Sequence, residues 1–435
     1  LTNLSNWINS SASHQESLNK AGLLPLPFLL AYRVGNHVQR LSRYGDLVTS
    51  RSSSVSAKPL ANKIRMVVVS HHFHRHSVWD VITRGLLVNL DRNRFELILY
   101  HLGKIEDQET TFAKSLANEW RDTHTITELA GWLTALETDA ADVIFYPEIG
   151  MDPLSARLAS HRFATLQIAS WGHPITTGLS TIDLYFSGEL LESPNADNHY
   201  RERLIRLPNT GCCTTPINIS PEPLEPELVA QLTASRGVRF IIAQTIYKFD
   251  PVDDALYATI ASVVHDSVFI LLSDRQDTWA TNQIVARLEQ CFVDRGLNPK
   301  QHLLVIPRQS MEKFQTLLDL CDVYLDCPSF SGYTTAWQAV HRGLPIVTLE
   351  GEFMRQRLAA GLLRKIGLTD TIASSREDYV QCAAQLAEEC RNPNRRATRR
   401  HALKAAASKA DNDLSVVRAF EQSVINELVI NSETG

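Results

Sequence analysis

The chain is 435 residues long, roughly three times the usual length of one domain, which predicts two large domains and an accessory segment. Hydrophobic residues make up 44% of it and charged residues 21%, an ordinary composition that excludes a disordered, collagen-like or fibrous chain. The 43 Lys and Arg nearly balance the 48 Asp and Glu. No large positive field is present to hold nucleic acid, so we expect no nucleic-acid partner.

Membrane and export signals are weak in this sequence. No apolar run reaches the ~18 to 20 residues that a membrane helix needs, and the nearest, residues 22–32, is broken by Pro25 and Pro27. We therefore expect no membrane partner. The seven Cys, an odd number, indicate a reducing compartment, and we expect a cytoplasmic location. The sequence begins with Leu1 and lacks the basic start of a signal peptide, which fits a piece of a longer protein.

The first half of the chain changes its pattern near residue 60. Residues 1–47 show helical periodicity and precede a Ser-rich stretch, which predicts a helical extension and linker over residues 1–59. Buried strands are then expected at 64–69, 95–100, 143–146 and 166–171, and helices near 79–90, 109–120 and 128–138. Because parallel strands need helical crossovers, this alternation predicts a doubly wound, Rossmann-like α/β domain over residues 60–220.

The second half repeats this pattern after a Pro-rich boundary that runs from Pro208 to Pro226. Strands are expected at 240–243, 268–272, 303–306, 323–325 and 346–349, which predicts a second Rossmann-like domain over residues 221–390. A helical tail is expected over residues 391–435, with one helix returning toward the first domain. Two α/β domains in series that face each other across a polar cleft are the GT-B plan of sugar-nucleotide glycosyltransferases.

Two loops of the second domain carry residues suited to an anion. In the segment from Asp326 to Thr335, a glycine and two threonines stand between an expected strand and helix, where backbone N–H groups and the helix dipole favour phosphate. Simple capping of the helix by Thr334 and Thr335 is an equal alternative. Lys248 follows the strand at 240–243 and could neutralise a departing diphosphate, although a solvated surface lysine is the ordinary alternative.

Histidines mark the loops of the first domain. Residues 71–76 contain four His after the first strand, without Cys or carboxylate at ligand spacing, so a metal site is not expected. One His of this loop could act as a general base, because its pKa lies near the working pH. His173 follows another strand and could equally be a packed loop residue.

Taken together, these segments resemble the O-linked N-acetylglucosamine transferase and SPINDLY family, glycosyltransferase family 41, together with the related bacterial adhesin N-glucosyltransferases. The likeness runs from about Ile64 to Leu386 and rests on four separated motifs: Tyr146 to Asp152, Trp171 to Thr177, Gly332 to Glu352 and Ser374 to Tyr379. Tyr333 stands where many relatives have His, and Gln338 where many have Asp.

The resemblance implies a role for individual residues. By this likeness Lys248 holds the donor diphosphate, Thr334 and Thr335 bind its phosphates, and His76 is the active-site histidine of the first domain, with His173 beside it on the acceptor side. The implied donor-binding residues are Gln244, Lys248, Arg308, Gln309, Phe314, Gly332, Tyr333, Thr334, Thr335 and Gln338. Phe314 would stack on the donor's base, and Arg308 and Gln309 would pair with its edge.

The resemblance further implies an inverting, metal-independent transferase that moves a hexose such as N-acetylglucosamine from a nucleoside-diphosphate sugar, UDP-linked, to a protein. The nucleotide sugar is a co-substrate, and neither a cofactor nor a metal is expected. Relatives usually carry tetratricopeptide repeats that present the acceptor protein, and the helical extension would adjoin or replace such repeats. The alternatives are a nucleotide-sugar-binding module without transfer, which Tyr333 and Gln338 motivate, and a nucleotide-sugar epimerase of the same two-domain plan.

Overall fold

The structure, a computed structural model, describes residues 27–49, 62–216, 219–234, 237–274 and 278–434. Residues 1–26 of the predicted helical extension and most of the Ser-rich linker lie outside the described residues. The chain divides into two compact units, one formed by residues 1–215 with 412–435 and the other by residues 216–411. Each unit is built around one parallel β-sheet.

The first unit contains a seven-stranded sheet in the order β3-β2-β1-β4-β5-β6-β7. Its strands are β1 (Ile64–Ser70), β2 (Phe95–His101), β3 (Glu119–Asp122), β4 (Val143–Tyr146), β5 (Leu166–Ser170), β6 (Leu184–Gly188) and β7 (Arg203–Leu207). All neighbours are parallel, and Val67 of β1 lies between Ile98 and Ile144. The central strands are continuous apolar runs because helices cover both faces of such a sheet.

The second unit contains a six-stranded parallel sheet in the order β10-β9-β8-β11-β12-β13. Its strands are β8 (Val238–Ile242), β9 (Ser267–Ser273), β10 (Leu303–Pro307), β11 (Val323–Leu325), β12 (Ile346–Leu349) and β13 (Ile372–Ala373). Stacked and edge-on rings fill the core beside it, including Phe240, Phe269 and Phe292. The predicted alternation of strands and helices is confirmed in both halves.

The described helices are numbered along the chain. They are α1 (Val38–Val48), α2 (Arg84–Asn89, preceded by the π-helical turn Val78–Thr83), α3 (Gln108–Leu116), α4 (Leu129–Asp139), α5 (Pro153–Ala159), α6 (Pro226–Ala234), α7 (Asp254–Val263), α8 (Thr278–Val293), α9 (Pro299–His302), α10 (Met311–Leu320), α11 (Thr334–His341), α12 (Leu358–Ile366), α13 (Arg376–Arg391), α14 (Pro393–Ala407) and α15 (Leu414–Thr434). Short 3-10 turns lie at Pro27–Leu30, Ala196–His199, Ile246–Lys248, Pro251–Asp253, Met354–Gln356 and Ser408–Ala410. Among the helices described, none is long and apolar enough to cross a membrane.

The helix predicted near residues 109–120 is wrong at its end. Helix α3 ends at Leu116, and Glu119–Asp122 form β3 at the edge of the first sheet. Glu119, Trp120 and Arg121 are half-buried, so no continuous apolar run marked this segment as a strand. An edge strand has only one neighbour, which is why a polar sequence can occupy it.

The segment predicted as one tail, residues 391–435, divides between the two units. Helix α14 belongs to the second unit, where Arg399 pairs with Glu389 of α13 at 3.0 Å. Helix α15 belongs to the first unit, because the Phe420 ring packs on Phe145 and Phe186 at centroid distances of 5.4 and 5.1 Å. The second unit therefore begins at residue 216 and ends at residue 411, between the two helices.

Candidate functional site

The strand order of the second sheet brings two loops together at one edge. From β8 the chain proceeds outward to β9 and β10, and it returns to pair β11 on the other side of β8. Such a change of direction opens a crevice at the carboxyl ends of the strands, where open α/β sheets bind ligands. The loops that leave β8 and β11 at this edge are residues 243–253 and 326–333.

Lys248 is held against the loop that follows β11. Its Nζ donates a hydrogen bond to the Ser331 carbonyl at 2.9 Å and lies 4.5 Å from the centre of the Phe330 ring. Burial lowers the pKa of Lys248 to about 8, and the charge of Asp326 opposes that shift. The ammonium is therefore mainly protonated at neutral pH and is directed toward the loop rather than solvated as an ordinary surface lysine.

Thr335 and Gln244 connect the start of α11 to β11. The Thr335 hydroxyl is hydrogen-bonded to the Tyr324 hydroxyl at 2.7 Å, and the Gln244 amide donates to Thr335 Oγ1 at 3.3 Å and to the Tyr324 hydroxyl. Tyr333 occupies the N-cap position, so neither threonine caps the helix. Since α11 begins here, the unpaired N–H groups of its first turn point toward the same edge.

Gly332 allows this close approach. A Cβ atom at this position would lie 2.1 Å from Gln244 Nε2 and 2.8 Å from Thr335 Oγ1. Any larger residue would displace the Gln244 amide. The absence of a side chain at Gly332 therefore leaves room for Gln244, in the loop after β8, to reach Thr335 at the start of α11.

The other residues that the resemblance implied for the donor lie at or near this edge. Arg308 is exposed and Gln309 is half-buried in the loop after β10, two strands away from β8. Phe314 is buried in the first turn of α10, whose N-cap is Ser310. Tyr333 and Gln338 are both buried around the first turns of α11. The direct contacts described above thus join Gln244 to Thr335 and Lys248 to Ser331, the residue before Gly332.

Two buried carboxylates at this edge were not predicted. Asp253 accepts hydrogen bonds from the Ser329 N–H at 3.1 Å and from Arg376 Nη2 at 2.7 Å, so it ties the β8 loop to the β11 loop and to α13. Asp326 follows β11 directly and is wholly buried. A carboxylate placed immediately after a buried strand was the sequence signal for Asp326, but it did not reveal the partners.

In the first unit, the loops after β1 and β4 form a second candidate cluster. Glu148 Oε1 accepts hydrogen bonds from the Ser70 hydroxyl and the His71 N–H, both at 2.8 Å. His71 Nδ1 lies 3.4 Å from Asp152 Oδ1, and this interaction raises the pKa of His71. Burial raises the pKa of Glu148 to about 7. β1 and β4 are adjacent at the change of direction of the first sheet, so this cluster occupies the corresponding edge.

The histidine tract is stacked. The rings of His72 and His76 lie 3.7 Å apart at an angle of 9°, and burial lowers the pKa of His72 to about 2. His76 is half-buried and its Nδ1 accepts a hydrogen bond from the Val78 N–H at 3.2 Å. Within the residues that the structure describes, no group of three or more His, Cys, Asp or Glu is arranged to hold a metal ion.

His173 is packed into its loop. It is 4% exposed, and its ring stacks on Phe28 at a centroid distance of 5.3 Å. A Cβ at Gly150, which has a φ of +103°, would lie 2.9 Å from His173 Cδ2. This environment favours the packed-loop alternative for His173, and its role on the acceptor side stays a prediction.

Replacing Asp152 by Asn should lower the pKa of His71. The side-chain oxygen that accepts from the Ser155 N–H at 2.6 Å at the start of α5 is kept, because Asn also caps helices, and only the charge is lost. The folded pKa of His71 is raised, so the stability from this pair is present below the unfolded pKa of about 6.5 and is lost as pH rises through the folded value. Imidazole NMR titration checks this, with exposed His124 as the internal control. An unchanged His71 titration would show that Asp152 does not set the charge of this ring.

The comparisons with known proteins agree with this architecture. The structure superposes with a TM-score of 0.82 on a variant of the O-GlcNAc transferase from Thermobaculum terrenum, at 21% identity, covering 100% of this chain and 81% of that chain. Sucrose-phosphate synthase from Thermosynechococcus elongatus gives a TM-score of 0.53 at 11% identity, covering 85% of this chain and 100% of that chain. The two sheet-bearing units thus have the α/β GT-B fold.

Sequence comparisons point to the same group of proteins. Residues 234–420 match the model of glycosyl transferase family 41. A probable UDP-N-acetylglucosamine–peptide N-acetylglucosaminyltransferase SPINDLY from Solanum lycopersicum is 26% identical over 80% of this chain and 36% of its own length. The UDP-glucose:protein N-beta-glucosyltransferase of Actinobacillus pleuropneumoniae serotype 5b is 24% identical over 75% of this chain and 51% of its own length. Over residues 234–420 the chain is thus similar to glycosyl transferase family 41, and it spans about a third of the length of the SPINDLY relatives that it matches.

Proposed function

We propose that this chain is the catalytic part of a protein glycosyltransferase that is inverting and metal-independent. It transfers a hexose, N-acetylglucosamine or a related sugar, from a UDP-linked donor to a protein side chain. The observation that carries the proposal is the contact between the Lys248 ammonium and the Ser331 carbonyl, which places a cation beside Gly332 and the first turn of α11. The names of the family 41 relatives support a nucleotide-sugar donor and a protein acceptor.

In the proposed reaction, an acceptor hydroxyl or amide attacks the anomeric carbon from the face opposite the diphosphate. The bond between that carbon and the diphosphate oxygen breaks, and its electron pair leaves with the nucleoside diphosphate. The Lys248 ammonium and the N–H groups that begin α11 stabilise this negative charge, which is metal-independent electrostatic catalysis worth several kcal/mol in comparable sites.

The proton of the acceptor needs a group to receive it. His76 is the residue that the family resemblance proposes, and the structure offers His71 as a second titratable imidazole with a carboxylate partner. Gln244, Thr335 and the buried Gln338 are proposed to shape the donor side, and Phe314 with Arg308 and Gln309 to meet the base. The roles of these residues are part of the proposal.

The acceptor partner and the cellular location complete the proposal. A protein or peptide acceptor follows from the names of the relatives, and tetratricopeptide-type repeats upstream would present it. The seven cysteines support a reducing, cytoplasmic location.

Intact-mass measurement tests the proposed function. The chain is incubated with candidate acceptor proteins and a panel of nucleotide sugars, and the mass added to an acceptor identifies the sugar class. A gain of one hexose or N-acetylhexosamine with release of UDP is expected. Binding of UDP-sugars without any added mass would favour the binding module, and conversion of free donor without acceptor would favour the epimerase.

A further inference from the structure

Asp326 is the most densely bonded side chain at the edge of the second sheet. Its Oδ2 accepts from the Ser331 hydroxyl at 2.5 Å and from the Thr348 hydroxyl at 2.8 Å, and its Oδ1 accepts from the Gly332 N–H at 2.8 Å. The Gln244 amide approaches Oδ1 at 3.4 Å. Asp326 is 0% exposed. These donors come from the β8 loop, from the β11 loop and from β12, so one carboxylate joins three segments.

Ser331 is hydrogen-bonded both to Asp326 and to Lys248. Its hydroxyl, besides donating to Asp326, accepts from the Ala359 N–H at 2.8 Å, and its own N–H donates to the Arg355 carbonyl at 2.7 Å. The carbonyl of the same residue accepts from Lys248 Nζ. The Ser331–Gly332 turn is therefore fixed on every side, and its position decides where the Lys248 ammonium lies.

Asp326 and Lys248 also act on each other's charge. Burial raises the pKa of Asp326 to about 6, against the hydrogen bonds from Ser331 and Gly332 and the charge of Lys248. The charge of Asp326 in turn raises the pKa of Lys248, which burial lowers to about 8. Near neutral pH both groups are therefore ionised, and each favours the charged form of the other.

The other titratable groups near this pair do not change charge in the same range. Burial raises the pKa of the Cys327 thiol and of the phenols of Tyr257, Tyr324 and Tyr379 well above their ordinary values, so these groups stay neutral. Asp253 is paired with the Arg376 guanidinium at 2.7 Å. Compared with this thiol and these three phenols, Lys248 is the group that changes charge between neutral and mildly alkaline pH.

We propose that Asp326 is the positioning residue of the diphosphate site. It holds the Ser331–Gly332 turn against Lys248, and its negative charge keeps Lys248 cationic before a diphosphate binds. This inference rests on the proposed function, because it assigns how the donor site of that function is organised. Asp326 itself contacts protein groups and acts through Lys248 and the turn. A carboxylate that served packing alone would affect folding and leave the pH range of anion binding unchanged.

The test is the pH dependence of UDP binding by the whole chain, measured by calorimetry from about pH 7 to 9.5. The second ionisation of a phosphate lies near pH ~6, so the charge of the diphosphate group does not change over this range. Inorganic pyrophosphate, which lacks the ionisable uracil ring, is titrated in parallel so that loss of the uracil proton is not mistaken for loss of the Lys248 proton. Wild-type affinity should decrease above pH about 8, by up to tenfold per pH unit, as Lys248 loses its proton. The pH at which this decrease begins is called the alkaline limit. In Asp326→Asn the alkaline limit should be lower by roughly half a pH unit or more, because the negative charge that raises the pKa of Lys248 is gone.

The matched control is Thr348→Val, which removes one donor from the same buried carboxylate and keeps its charge. It should retain the wild-type alkaline limit. An alkaline limit in Asp326→Asn equal to that of the wild type would overturn the proposal while leaving the proposed function in place. Absence of UDP binding by the wild type at every pH would instead overturn the proposed function and this inference together.

Ser331→Ala keeps the proposal testable if Asp326→Asn does not fold. This variant removes the hydroxyl between Asp326 and Ala359 and leaves every charge in place. We expect UDP affinity to decrease about tenfold to 150-fold at all pH values, the effect of one buried hydrogen bond to a charged group, with an unchanged alkaline limit. Wild-type affinity in Ser331→Ala would show that the turn is not held by this carboxylate.

Discussion

Replacement of Lys248 by Ala should reduce sugar transfer by about a hundredfold to a thousandfold, the usual cost of removing one preorganised group that stabilises developing negative charge. The Lys248 ammonium contacts the Ser331 carbonyl and the Phe330 ring, and neither contact belongs to a β-sheet ladder. The variant should therefore remain folded. Transfer is followed by the mass added to the acceptor, UDP affinity by calorimetry, and folding by circular dichroism.

Lys300→Ala is the matched control for this substitution. Lys300 is exposed in α9 and precedes β10, so it lies at the amino end of that strand, opposite the candidate site. The same loss of charge there should leave transfer and UDP affinity unchanged. Lys248→Arg should recover only part of the activity, since a planar guanidinium cannot occupy the place of a compact ammonium. Full activity of Lys248→Ala would remove this lysine from the leaving-group role.

The fold was largely predictable because its strands are hydrophobic. Central parallel strands are buried on both faces, so β1, β2 and β8 to β12 appear in the sequence as short apolar runs separated by amphipathic helices. β3, with its half-buried polar residues, and the two-residue β13 lacked this signal. The helical tail was predictable as helix, but the unit to which each part belongs depends on contacts such as that of Phe420 with Phe145.

The candidate site was predictable only where chemistry and position coincide. Lys248 and Thr335 were found because a charged or hydroxyl residue follows a buried strand, at the edge where ligands bind. Asp326 carries the same signal, but its partners Ser331, Thr348 and Gln244 are 5, 22 and 82 residues away in sequence. A single sequence does not show that such distant residues meet.

The histidine tract illustrates the same limit in the first unit. Four His in six positions indicate a titratable loop, and the family resemblance selected His76. The structure pairs His71 with Asp152 and places its N–H on Glu148, a residue 77 positions away. Periodicity does not predict which histidine gains a carboxylate, because that depends on the pairing of β1 with β4.

Replacement of Gly332 by Ala should weaken donor binding and destabilise the second unit. The new Cβ would lie 2.1 Å from Gln244 Nε2, and this amide is held by Tyr324 and Thr335. Moving it breaks those hydrogen bonds, so we expect the free energy of unfolding to decrease by about 1 to 3 kcal/mol, as for other overpacked sites. Denaturant unfolding and UDP calorimetry measure the two effects.

A second substitution identifies the atom responsible. In Gly332→Ala combined with Gln244→Ala the closest contact is gone, so the loss of stability should be smaller than the sum of the single losses by about 0.5 to 3 kcal/mol. Gly131→Ala in α4 is the control, because its Cβ would meet only Ile126 Cγ2 at 3.0 Å and alanine favours a helix interior. If the two substitutions at the site were strictly additive, the Gln244 amide would not be the group that requires glycine at position 332. The group that requires glycine at this position would then be the Thr335 hydroxyl, which would lie 2.8 Å from the same Cβ.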